Sequence, residues 1–147
     1  MKIKLVQDAA THEPEILIKY ATMSKDLERI LAMIQSADTK IKCTHDGGEV
    51  FINIADVFYF ESVDKSTFVY CEQEVYGTEL RLYQIVEEFS HLGFVQISKA
   101  CVLNINVLES IAPLINSRME ATLKNGERLI VTRKYLGAIK HALQEWM

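Results

Sequence analysis

FVQISKACVLN, residues 94–104, is the segment most informative about the fold, because its apolar residues run directly into polar ones. The segment IVTRKY, residues 130–135, has the same character. The polar side chains of the two segments include Ser98, Lys99, Asn104, Arg133 and Lys134. A rigid β framework presents hydrogen-bonding and cationic groups from its loops in this manner. The two segments therefore indicate a sheet that carries polar side chains at the ends of its strands.

Short apolar segments separated by turn residues continue on both sides of this stretch. Asp46-Gly47-Gly48 and Asn125-Gly126 are hairpin signals between such segments. Two other segments have helical spacing, one between Thr78 and Gly93 and one at residues 135–146. The pattern predicts a mainly β fold of the α+β class with short helices, and Thr78 is the expected cap of the first of these two helices.

The first part of the chain predicts a small β-β-α appendage. Alternation at residues 2–7 and an apolar run at residues 16–18 are typical of strands. The apolar residues that follow repeat every three or four positions, as in an amphipathic helix, and Thr22 or Ser24 is available to cap it. We therefore divide the chain into an appendage at 1–37, expected to serve dimerisation or regulation, and a main domain at 38–147.

Composition limits the class of protein. Of the 147 residues, 49% are hydrophobic, which is enough for a packed core. No apolar run approaches the roughly 20 residues of a membrane span, and the N-terminus lacks the apolar stretch of a signal peptide. The cysteines Cys43, Cys71 and Cys101 have strand-like apolar neighbours and no paired spacing, which is typical of buried reduced thiols. We expect a cytoplasmic protein.

Charge is distributed unevenly along the chain. The net charge is −4, but residues 1–93 carry 9 Lys/Arg against 16 Asp/Glu, whereas residues 94–147 carry 7 against 4. The second part therefore has a net charge of +3 and the first −7. Attraction to phosphate depends on local positive potential and not on the net charge of the whole protein.

The sequence does not favour an enzyme. Gly47-Gly48 is an isolated turn without the glycine pattern of a phosphate-binding loop. Cys43 and His45 lie two positions apart and share a face of a strand, but this spacing supplies no orienting third group and no oxyanion site. The other histidines have no metal-ligand spacing. We expect no catalytic site, cofactor, metal or small-molecule substrate.

Taken together, the segments resemble the LytTR-type DNA-binding domain over roughly residues 39–146. The resemblance is carried, in order, by DVFYFES at 56–62, by 94–104, by Ile111, by Asn125-Gly126 and by VTRKY at 131–135. It implies an elongated β fold of about ten strands, whose loops enter successive major grooves of bent DNA from one side. Many relatives carry Arg-Ile-His-Arg-Ser where this chain has Gln96-Ile97-Ser98-Lys99-Ala100, so two cationic contacts become neutral here.

The resemblance also implies the DNA-binding residues. Lys65 and Thr67 match the first DNA-contacting loop, Asn104 with Ser98 and Lys99 matches the second, and Arg133 the third. We expect Arg133 and Asn104 to contact bases, because Arg and Asn make bidentate contacts to guanine and adenine. The other members are expected to contact the backbone: Lys65, Thr67, Ser98, Lys99 and Lys134.

Five of these residues also have an ordinary structural interpretation. Asn104 has the position of a turn residue that stabilises its own loop. Arg133 and Lys134 begin the last helix, although a cation there opposes the helix dipole. Lys65 and Lys99 are unremarkable as solvated lysines.

The resemblance implies a stand-alone, response-regulator-like transcription regulator without a receiver domain. We expect it to bind double-stranded DNA as a homodimer on repeated sites. The alternative is a protein-interaction module controlled by a small membrane protein, in which DNA binding is weak or secondary. That partner is implied by the resemblance alone.

Overall fold

The computed structural model describes residues 1–146, and the side chains of residues 1–144. Met147, the last residue of the predicted main domain, lies outside the described residues. The helices are α1 (Lys25–Ala37), α2 (Leu82–Phe89) and α3 (Leu136–Trp146). The strands are β1 (Lys40–His45), β2 (Gly48–Asn53), β3 (Val57–Val63), β4 (Ser66–Cys71), β5 (Val75–Thr78), β6 (Phe94–Ser98), β7 (Cys101–Asn104), β8 (Leu108–Pro113), β9 (Met119–Leu123) and β10 (Arg128–Val131).

The strands form two antiparallel sheets. One has seven strands in the order β2-β1-β5-β4-β3-β7-β6, and the other has three in the order β10-β9-β8. The predicted mainly β fold with short helices is therefore confirmed. Gly126 (φ 91°) and Asp46-Gly47 (φ 50° and 79°) take left-handed backbone angles in the two predicted hairpins, which is why these turns need glycine.

The larger sheet is covered on both faces at its centre. On one face, Phe60 of β3 and Val102 of β7 pack against Ile85 of α2. On the other face, Tyr59 and Leu103 belong to the core cluster that includes residues of β9, β10 and α3. Because β3 is buried on both faces, its sequence VFYF is a continuous apolar run without alternation.

The first part of the chain differs from the sequence prediction. Residues 2–7 and 16–18 form no strand, and nearly all side chains of residues 1–24 are exposed. A strand needs a neighbouring strand for its hydrogen bonds, and the single chain offers these segments none. The predicted helix is confirmed as α1, and Ser24 caps it by accepting a 3.1 Å hydrogen bond from the N–H of Leu27.

Helix α1 packs against the main body. Ala32 is buried in the same core cluster as Ile41 and Ile54. The helix also contacts the 3-10 turn at Ser90–Leu92. The β1 strand begins three residues after the helix ends.

Candidate nucleic-acid interface

The turn between β3 and β4 presents Lys65. Val63 pairs with Ser66, so Asp64 and Lys65 form a two-residue hairpin turn, with left-handed φ angles of 49° and 67°. Both side chains are exposed. Thr67, by contrast, is 5% exposed and lies between Ser62 and Thr78 on the neighbouring strands. Burial between β3 and β5 opposes the predicted DNA contact of Thr67 and favours a structural role.

The turn between β6 and β7 presents Lys99 next to the first turn. Ser98 is half-buried, and its Oγ accepts a 3.4 Å hydrogen bond from the N–H of Ala100, whereas Lys99 is exposed. The N–H of Ser62 donates to the carbonyl of Ala100 at 2.8 Å. Because Ser62 lies next to the β3–β4 turn, this hydrogen bond holds the turns of Lys65 and Lys99 side by side.

Arg133 and Lys134 lie at the same end of the molecule. They follow Thr132, whose N–H donates to the carbonyl of Ile97 at 2.9 Å. Both side chains are exposed, and the Lys134 Nζ lies 5.7 Å from the centre of the Tyr135 ring. The hydrogen bond joins the end of β10 to the end of β6, beside Ser98. The structure thus brings three separate cationic segments together.

Asn104 does not belong to this group. It is 2% exposed, and its Nδ2 donates to the carbonyl of Val57 at 2.8 Å. Its Oδ1 accepts from the N–H and the Nδ2 of Asn106, each at 3.0 Å. Asn104 also pairs with Phe94, so it lies at the opposite end of β6 from Ser98, about 13 Å away for four strand residues. These hydrogen bonds stabilise the loop of Asn104 itself, and its burial opposes the base contact, which stays a prediction.

Arg81 and Arg118 are additional cations at this end that the sequence analysis missed. Helix α2 begins at Leu82 with Arg81 as its N-cap residue, and not at the predicted Thr78. The Arg81 Nη1 donates to the carbonyl of Lys65 at 3.0 Å. Met119 pairs with both Pro113 and Val131, which places Arg118 near the end of β10. Arg118 lies in the turn between β8 and β9.

Several positive charges therefore share one surface. In the described part of the chain, none of the following side chains forms an ion pair: Lys65, Arg81, Lys99, Arg133 and Lys134. Asp64 is an exposed carboxylate in the same region. The surface has the hydrogen-bond donors and positive charge that suit phosphate oxygens.

The thiols of Cys43 and Cys101 are buried, and that of Cys71 is half-buried. Burial raises the pKa of Cys43 and of Cys71 to about 11 each, and burial with the charge of Glu61 raises that of Cys101 to about 12. The Cys43 Sγ contacts the carbonyl of Ile41 at 3.8 Å, while the His45 Nε2 lies 3.4 Å from Asp46. Because the nucleophile is the thiolate, these pKa values oppose a Cys43–His45 catalytic pair.

The family model of the LytTr DNA-binding domain matches residues 47–144. This chain belongs to the LytTR family. The region matched by the LytTR model includes every strand except β1, and it includes the three cationic segments, which carry Lys65, Lys99 and Arg133. Over this region the protein is a member of a DNA-binding family and not of an enzyme family.

Similar proteins agree with the LytTR assignment. The LytTr DNA-binding domain of a Bacillus cereus response regulator has the same fold, with a TM-score of 0.68 and 22% identity over 71% of this chain and 96% of that domain. The sensory transduction protein LytT of Bacillus cereus is 28% identical over 95 residues, and the matched part is 65% of this chain and 39% of LytT. The match therefore covers well under half the length of that relative.

Another relative is similar over nearly the full LytTR chain. A Staphylococcus aureus protein, named as an uncharacterized HTH-type transcriptional regulator, is 25% identical over 145 residues, which is 97% of this chain and 98% of that one. None of the helices in residues 1–146 has the length and hydropathy of a membrane span. The family and these names support a DNA-binding transcription regulator.

Proposed function

We propose that this LytTR protein is a sequence-specific DNA-binding transcription regulator that inserts the three cationic segments into the grooves of a duplex. The observation that carries this proposal is the position of Lys65, Lys99 and Arg133 on adjoining segments at one end of the molecule. All three side chains are exposed. The net charge of −4 is no obstacle, because phosphate attraction is local.

The proposed DNA-binding side chains fall into two groups, one that contacts bases and one that contacts phosphates. Arg133 is the base-contacting residue, because a guanidinium binds the O6 and N7 atoms of guanine in a bidentate manner. Lys65, Lys99 and Lys134 contact phosphates, with the Ser98 hydroxyl beside Lys99. Thr67 and Asn104 act only through the fold, since both are buried.

Selection of bound fragments from a random or genomic DNA pool tests sequence specificity directly. We expect an enriched motif, repeated about one helical turn apart if two protomers bind together. Binding to that motif should weaken steeply as salt rises. The control is a variant with Lys65, Lys99 and Arg133 all replaced by alanine. Equal enrichment by the control, or no motif with the unaltered protein, would contradict the proposal.

We further propose that the regulator is a homodimer and that residues 1–24 contribute to its assembly. These residues expose large apolar side chains: Met1, Ile3, Leu5, Val6, Ile16, Leu17, Tyr20 and Met23. Contiguous exposed apolar side chains mark interaction sites. Residues 2–4 carry two lysines and residues 13–15 carry two glutamates. A second copy can therefore pair its basic segment with the acidic segment of the first, as strands of opposite charge.

Deletion of residues 1–22 tests this assembly and leaves Ser24 in place as the cap of α1. We expect the dimer to become a monomer in light scattering, while the monomer still binds a half-site. A matched variant with Ile3 and Leu5 replaced by serine should have the same effect. An unchanged oligomeric state overturns the homodimer role of this segment.

The exposed apolar segment also favours the alternative function, an interaction module controlled by a membrane protein. One experiment distinguishes the homodimer from the module controlled by a membrane protein. If the full chain is a monomer in solution but binds a co-expressed small membrane protein through residues 1–22, the alternative is supported and the dimer proposal fails. Because its proposed ligand is cellular DNA, we place the protein in the cytoplasm.

A further inference from the structure

Arg81 is bound to the turn that carries Lys65. Its Nη1 donates a 3.0 Å hydrogen bond to the carbonyl of Lys65. Strand register explains the contact, because Thr67 pairs with Thr78 and the chain leaving β5 therefore passes beside the β3–β4 turn. We propose that Arg81 is an additional phosphate-binding residue, positioned by the Lys65 carbonyl. This inference rests on the proposed DNA-binding function.

Most of the Arg81 guanidinium remains available to a ligand. A guanidinium carries five N–H donors in a planar fork, and the carbonyl of Lys65 occupies one of its nitrogens. The side chain is exposed and forms no ion pair within the described residues. Since a carbonyl is uncharged, its hydrogen bond orients the fork and leaves the positive charge in place. A planar fork held at the surface suits bidentate binding of phosphate oxygens.

The stability of helix α2 does not account for an arginine at this position. Arg81 is the N-cap residue, where its backbone N–H donates to the Oε1 of Gln84 at 2.8 Å. A cation at a helix N-terminus opposes the helix dipole, and Asn, Asp or Ser is preferred as N-cap. Helix capping therefore does not favour arginine at position 81. The contact with the Lys65 turn and the proposed binding of phosphate do favour it.

The Lys65 turn needs support. Asp64 and Lys65 both have positive φ angles, 49° and 67°, and such angles are unusual for residues other than glycine, asparagine and aspartate. The hydrogen bond from Arg81 stabilises this turn. Arg81 therefore has two roles. It binds one phosphate directly, and it stabilises the turn that presents the Lys65 side chain to the duplex.

Binding titrations across a series of salt concentrations test the role of Arg81. The main variant is Arg81→Asn, which supplies a good N-cap and so preserves the helix. Arg81→Lys retains the positive charge. The matched control is Arg128→Asn, because Arg128 is an exposed arginine at the start of β10, paired with Glu120 at 3.9 Å and at the opposite end of the strand from Arg133. Each protein is titrated with the selected duplex and with an unrelated duplex.

We expect Arg81→Asn to weaken binding to both duplexes by a similar factor, on the order of tenfold, and to lower the salt slope by about one. Arg81→Lys should keep the slope, and Arg128→Asn should match the unaltered protein. An unchanged slope for Arg81→Asn overturns the inference, and so does an equal loss in Arg128→Asn. If the unaltered protein selects no DNA motif, the DNA-binding function itself fails. If the unaltered protein selects a motif and Arg81→Asn binds that motif with equal affinity, only the proposed role of Arg81 fails.

Discussion

The Tyr59 hydroxyl donates a 2.6 Å hydrogen bond to the Oε2 of Glu127, and so links the seven-stranded sheet to the β9–β10 hairpin of the smaller sheet. Tyr59 also stacks on Tyr70, with ring centroids 4.3 Å apart. Burial and the Glu127 carboxylate raise the pKa of Tyr59, so the hydroxyl remains a donor. Because β10 leads into Arg133, this contact fixes the third cationic segment relative to the other two.

Tyr59→Phe should therefore lower the free energy of unfolding by about 1–3 kcal/mol, the usual contribution of a hydrogen bond to a charged group. Urea unfolding measures this change. Tyr83→Phe is the control, since Tyr83 is 65% exposed on α2 and should change stability little. Equal stability of the two variants would show that the contact with Glu127 does not stabilise the protein.

Asn104→Ala should lower stability and leave DNA specificity intact. The substitution leaves the carbonyl of Val57 and the N–H of Asn106 without their partner, at a cost of about 2–4 kcal/mol. Denaturant unfolding gives the stability, and motif selection below the unfolding temperature gives the specificity. Asn53→Ala, at the exposed end of β2, is the control. A changed motif with unchanged stability would restore Asn104 as a base-contacting residue.

The two interpretations of Asn104 show which information the sequence lacks. An asparagine after an apolar strand suits both a DNA contact and a local turn, and the choice depends on Val57, which is 47 positions away in the chain. The segments at 2–7 and 16–18 failed for a related reason, because alternation describes a strand face but does not supply a neighbouring strand. Arg81 was missed because the helix begins four residues after Thr78, and helix ends are poorly determined by pattern.

Features that depend on local chemistry were predicted well. The Asn125-Gly126 hairpin is confirmed because glycine at position 126 adopts a φ of 91°, which the turn itself requires. The continuous apolar run in β3 was visible in the sequence, and its burial on both faces follows from the two sheets and the helices around it. The DNA-contacting roles stay predictions for all seven residues: Lys65, Thr67, Ser98, Lys99, Asn104, Arg133 and Lys134.

The buried thiols predict how stability changes at high pH. The folded-state pKa of Cys43 and of Cys71 is about 11, against about 9 for an exposed thiol. Between these values the unfolded state loses protons that the folded state retains. The contribution of these thiols to stability should therefore be constant below about pH 9 and fall as pH rises toward 11. Urea unfolding as a function of pH measures this decline. Cys43→Ala should reduce it, although alanine also leaves a small cavity that lowers stability at every pH.

Reaction of the cysteines with a thiol reagent at neutral pH provides an independent measurement. All three cysteines should react slowly in the folded protein and rapidly in urea, because the thiolate is the reactive form and burial disfavours it. A single cysteine that reacts rapidly in the folded protein would contradict the buried-thiol assignment and reopen the catalytic interpretation of Cys43 and His45.

Arg133 and Lys99 should affect DNA binding in different ways. Arg133→Ala removes a proposed base contact, so it should cost about 1–3 kcal/mol on the selected site and relax preference at one base position. Lys99→Ala removes a proposed phosphate contact, so binding should weaken similarly on all sequences, with a salt slope lower by about one. Anisotropy titrations on the selected site and on single-base variants separate the two patterns. Since both residues are exposed, neither substitution should change stability by much. If Arg133→Ala weakens all sequences equally, Arg133 is a backbone contact and the base-contacting residue must be sought elsewhere on the same surface.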